Sequence, residues 1–170
     1  INNKYGEPQA KLAEASMESL VDRQNYASYH FHEYKKILGD SLDSEQDNAN
    51  MVIKAIVLTN EQPSIYSPLV KISANIFALV LNLHGLIDTL AHVLCYGAGL
   101  NLGEEPLTGI NIRGNRVQEK LALLDNFKEV SKILCSIRSN KDVVYLNALV
   151  NYSKHRSVLK PELNVHVRNY

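Results

Sequence analysis

The chain has 170 residues, with 18 basic and 18 acidic side chains, so its formal net charge is zero with His neutral. That length suits one domain, 1–170, with a real core. The charge balance excludes a global field that would draw in nucleic acid or a membrane surface, so any anion site must be local.

The chain opens on Ile1 rather than Met. Its native start is therefore expected upstream, and no secretory signal is recognised. Residues 8–38 read as the first helix. Pro8 suits a first turn and Gly39 suits a stop. Leu12, Ala13, Met17, Leu20, Val21, Tyr26, Tyr29 and Tyr34 recur at helical spacing and are expected to form its apolar side. The polar, acidic stretch "GDSLDSEQDNAN" reads as a loop or link, and residues 47–59 read as a shorter helix.

Ser67 followed by Pro68 is a cap and a first-turn proline, so the central helix is expected to start there. It runs to about Tyr96, where Gly97 and Gly99 end it. This is the most apolar part of the chain and is long enough to span a bilayer. Asn75, Asn82, His84, Asp88 and His92 interrupt it, each costly in lipid, so it reads as the core helix of a soluble bundle with no membrane partner. Gly103, Pro106, Gly109 and Gly114 make the next segment a long loop. Helices over about 116–125, 126–139 and 141–157 follow, and the tail from Lys160 is read as extended. Cys95 and Cys135, the two cysteines, lie in apolar runs and read as buried free thiols of a cytoplasmic protein. The fold class is all-α: a helical bundle of five or six helices with a long loop after the central one.

Two polar stripes interrupt these helices. In the last helix Asn147, Asn151 and His155 are spaced by four, flanked by Lys154 and Arg156. Histidine exchanges a proton near neutral pH and a neighbouring cation stabilises developing negative charge, so the group suits phosphate handling or acid–base chemistry. The other reading is helix-end electrostatics, in which Lys154, His155, Arg156 and Lys160 offset the negative end of the helix dipole. In the central helix His84, Asp88 and His92 are also spaced by four. Asp88 is placed to orient either imidazole, or the three form a buried network. The two stripes are expected on helices that pack together, because buried polar groups need partners.

His84 and His92 stand roughly 12 Å apart along the helix, too far to share one ion. His30 and Glu33 reverse the Glu-x-x-His order that di-iron bundles use. No P-loop, dinucleotide glycine pattern, Cys-x-x-Cys or His-Glu-x-x-His is present. No metal and no cofactor are expected, with a metal-binding bundle kept as a further alternative.

A helical chain with a polar His late in a helix, in "VNYSKH", resembles the HEPN superfamily. The resemblance implies an all-α homodimer. Active members are metal-independent RNases of toxin, antiphage and RNA-processing systems, and their motif is an Arg a few residues ahead of a His, the Arg often followed by Asn. Asn151 and His155 match that motif as catalytic residues. Val150 stands where the Arg belongs. On this resemblance the chain is a degenerate, non-catalytic RNA- or nucleotide-binding or interaction module of a defence or toxin–antitoxin system, or else an active RNase using His155. Lys154 and Arg156 would contact phosphate, with Asn147, His84, Asp88 and His92 as a supporting shell. A protein partner is a further option, and the same groups could instead form a network and dimer seam in a purely non-enzymatic domain.

Overall fold

The computed structural model describes residues 1–42 and 68–155. The expected helix at 47–59, the Ser67 cap, Arg156, Lys160 and the tail lie outside them. Among the described residues the secondary structure is entirely helical: α1 (Asn2–Tyr5), α2 (Glu7–Leu42), α3 (Pro68–Ala98), α4 (Gly114–Ala122), α5 (Lys128–Ser139) and α6 (Lys141–His155), with 3-10 turns at Gly109–Asn111 and Asp125–Phe127. The all-α bundle expected from the sequence is what the chain forms.

The long helices α2 and α3 pack along each other as an antiparallel hairpin. Gln9 near the start of α2 meets Tyr96 near the end of α3, and His30 near the end of α2 meets Asn75 near the start of α3. The sheltered positions of α2 include Gln9, Ala13, Ser16, Leu20, Arg23, Ala27, His30 and Tyr34. They alternate in steps of three and four, the spacing that keeps one seam against a partner helix. Leu12, Met17, Val21, Tyr26 and Tyr29, expected on the apolar side, are instead exposed. Pattern-matching with a helical period accepted them, but only the three-four phase that contains Ala13 and Ala27 faces α3. Gly39 does not stop α2 either. It has no positive φ, and a glycine ends a helix cleanly when it takes the left-handed conformation.

Gly99 does take that conformation, with φ +70°. The Leu100 N–H donates to Cys95 O at 2.9 Å and the Gly99 N–H to Tyr96 O at 3.2 Å, which is the paired closure of a Schellman end. Tyr5 Oη then donates to Ala98 O at 2.9 Å. Gln9 is 3% exposed. Its Nε2 donates to Tyr96 O and to Asn101 Oδ1, both at 2.7 Å, and its Oε1 accepts from Asn101 Nδ2 at 3.0 Å. The amide groups satisfy one another, so a buried glutamine here fastens the end of the hairpin.

The core lies at this same end. Ala91, Cys95 and Ala98 of α3 meet Leu107, Ile112, Val117, Leu121 and Leu134 from the loop, α4 and α5. Helix α6 packs on α3 and α5, and Val150 is its fully buried residue. The organisation therefore positions α6 by its inner side and leaves its outer side to solvent.

The thiols divide. Cys95 is fully buried, as expected, whereas Cys135 is exposed, because it follows buried Leu134 and the helix turns about 100° per residue. A thiol reagent is expected to label Cys135 in the native protein and Cys95 only on unfolding. Burial pushes the Cys95 thiol up to about 11 from its ordinary 9.0. The unfolded chain gives up this proton first, so the contribution to stability is full below pH 9 and is lost as pH rises through 11. The loss is roughly 3 kcal/mol, and Cys95→Ala should flatten that part of a denaturation-against-pH curve.

Candidate functional site

The polar stripe of α6 begins partly sheltered and ends in water. Asn147 is half-buried, while Asn151, Lys154 and His155 are exposed. None of the four makes a hydrogen bond or ion pair among the described residues. Their neighbour Val150 is 0% exposed. Position 150, where the HEPN motif places its Arg, thus points into the core and away from the groups that would handle a phosphate.

The stripe of α3 does not form a network. His84 keeps 18% of its side chain exposed and Asp88 keeps 67%, and His84 Nδ1 stands 3.9 Å from Asp88 Oδ2, beyond hydrogen-bond reach. His92 turns its Nδ1 to the backbone oxygen of Asp88 at 3.0 Å, so the carboxylate orients neither ring through a short bond. Helices α3 and α6 do pack together, yet no hydrogen bond joins their polar stripes among the described residues. The expected buried network is corrected accordingly: Asp88, Asn151 and His155 are solvated. Asp88→Ala is therefore expected to change stability by less than about 0.5 kcal/mol in a denaturant melt.

His30, weighed with Glu33 as a metal pair, is instead a cross-helix partner, its Nδ1 2.8 Å from Asn75 Oδ1. No cluster of three or more His, Cys, Asp or Glu side chains suited to a metal occurs among the described residues.

Two features were missed in the sequence. The first is an open groove of about 770 Å³ at the C-terminal end of α3, lined by Tyr5, Leu100, Lys120, Leu123 and Phe127 among others. Its Lys120 is engaged by Glu105 at 2.7 Å. The hydrogen bond from Lys120, aided by its charge, holds the Glu105 carboxyl below the usual range. None of the residues expected to carry function lines this groove.

The second is the aromatic character of the outer side of α6. Tyr145 is 66% and Tyr152 48% exposed, and a spacing of seven puts them on one side of the helix. That spacing was available in the sequence, but tyrosines at helical spacing read first as core or interface.

Chemically, the arrangement offers an amide, an ammonium and an imidazole to solvent on the last turns of a helix. No hydrogen bond among the described residues orients the His155 ring, and general acid–base work depends on such positioning. The geometry suits contact with an anion more than its cleavage. Comparison of the chain with protein-family models, with curated proteins and with solved structures finds no match.

Proposed function

We propose that this is a HEPN-like helical module of the cytoplasm that binds RNA or a nucleotide without cleaving it, in a defence or toxin–antitoxin setting. One observation carries the reading. Val150 is wholly in the core while Asn151, Lys154 and His155 stand exposed and unengaged among the described residues. A phosphate can be held there by side chains alone, since a helix C-terminus offers no free N–H groups. The test is incubation of RNA with wild-type protein and with His155→Ala, read for cleavage and for binding. Binding by the wild type with no cleavage is expected. Cleavage that His155→Ala abolishes would replace this reading with the active RNase.

A second reading, self-association, has its own support. Between Lys71 and Asp88, α3 carries no Lys, Arg, Asp or Glu, and its apolar side chains there are mostly half-buried, with Leu83 exposed. By length and composition this helix could cross a membrane, but its long contact with the charged helix α2 favours a seat within protein. A two-fold interface brings each charge near the axis against its own copy, so the charge-free middle of α3 suits the axis of a homodimer, with the charges of α2 towards the rim. A two-helix side roughly 46 Å long and about 20 Å wide offers on the order of 900 Å² per copy, within the range of stable interfaces. A molar mass twice that of one chain in solution is the expected result, and a monomer at all concentrations would remove this reading.

A further inference from the structure

The seam of α2 against α3 is polar at every other position. Gln9, Ser16, Arg23 and His30 recur every seventh residue, and Ala13, Leu20, Ala27 and Tyr34 alternate with them. Three of these four polar side chains are satisfied. Gln9 holds Tyr96 O and Asn101, Ser16 Oγ donates to Leu12 O at 2.9 Å, and His30 Nδ1 stands 2.8 Å from Asn75 Oδ1. Arg23 is the exception. It is half-buried, and its guanidinium makes no hydrogen bond or ion pair among the described residues. Instead Nη1 and Cζ lie against Gly85 of α3, in the space that a Cβ would take. Gly85 is buried and has no positive φ, so the backbone itself does not call for glycine there. A glycine within a helix weakens it relative to alanine. A sheltered cation without an acceptor is unfavourable as well. Both unfavourable choices fall at one point of the hairpin, where the missing Cβ seats the guanidinium.

We infer that Arg23, seated on Gly85, is an anion site that binds a phosphate group of a ligand between α2 and α3. The inference goes beyond the RNA-binding reading and does not rest on it, since the residues near the end of α6 take no part. A guanidinium offers five N–H donors in a planar fork and keeps its charge. Two of those donors match the oxygens of one phosphate. Partial withdrawal from water strengthens that pairing over the same contact in solvent. The chain's own carboxylates nearby leave the guanidinium available. Asp22 is exposed, and Asp88, three residues on from Gly85, is 67% exposed with its Oδ2 3.9 Å from His84 Nδ1. A terminal phosphate carries about 1.5 to 2 negative charges at neutral pH, so it binds a guanidinium more strongly than a carboxylate does.

The experiment is calorimetric titration of the full chain with inorganic pyrophosphate, with acetate at the same ionic strength as control. Pyrophosphate is expected to bind and acetate to give no signal. Arg23→Met, which keeps an apolar stem, should weaken binding at least about tenfold, the loss of one charge-assisted pair. Gly85→Ala is the sharper variant. Its methyl displaces the end of the Arg23 side chain while favouring the helix, so it should melt at or above the wild type and still lose binding. Lys154→Gln should bind as the wild type does, which separates this site from the end of α6. Binding unchanged in Arg23→Met or in Gly85→Ala would overturn the inference, and so would a wild type that takes up no pyrophosphate. Acetate binding as tightly as pyrophosphate would overturn the assignment to phosphate. If Arg23→Met and Asp88→Asn each lower the melting temperature and the double variant lowers it no further, the two side chains pair with each other in solution and the inference is wrong.

Discussion

Val150→Arg is expected to destabilise the chain by about 4 kcal/mol and to yield no RNase. The substitution puts into "VNYSKH" the Arg that a HEPN motif would carry at that position, so a reading from the proposed resemblance alone expects gain of activity. The fold argues otherwise. Val150 is 0% exposed, on the helix that packs against α3 and α5. A guanidinium cannot shed its charge by losing a proton, and no acidic residue is buried among the described residues. The Arg must either remain unpaired in the core or force α6 off its seat. For a chain of this size the loss corresponds to a fall in melting temperature of roughly 8–16 °C. Thermal melts and an RNA cleavage assay on the same preparation check both halves. A variant that melts like wild type and cleaves RNA would return position 150 to the active site.

Leu121→Ala should cost about 2–5 kcal/mol, the range for emptying a buried leucine position. Leu121 is 0% exposed in the cluster that joins α4 to α3 and α5, and that cluster is what holds the C-terminal helices on the end of the hairpin. Leu123, two residues on, is 78% exposed, so Leu123→Ala should change stability by less than about 0.5 kcal/mol. Denaturant midpoints for the pair separate packing from mere loss of a leucine. Equal shifts would mean that the core does not lie where this packing places it.

The helices were legible because their signals are local. The proline at 68 and the glycine at 99 mark ends through their own backbone constraints, and α3 starts and stops there or within two residues of the expected point. What escaped was phase. A step of four residues advances about 400° around a helix, so a row at that spacing winds by about 40° each time. His84 thus lies largely sheltered while Asp88, one step on, is mostly in water, and Asn147 is half-buried while Asn151 and His155 are exposed. The rows that keep one direction alternate threes and fours. They are the α2 seam through Ala13 and Ala27 and the outer row of α6 through Tyr145 and Tyr152, and neither is picked out by a search for repeats of four. Tertiary neighbours, which no local pattern states, decide which of several rows turns inward.

The central claim is that exposed side chains near the end of α6 hold a nucleic acid phosphate. The most direct measurement is the equilibrium constant for RNA binding over a range of salt concentrations. A few cations contacting single-stranded phosphates should release counterions and give a plot of log K against log salt with a negative slope of about 0.7 per contact, so roughly 1 to 2 in all. Lys154→Gln should reduce that slope by one contact. Binding that does not weaken as salt rises, or a slope unchanged by Lys154→Gln, would contradict the account.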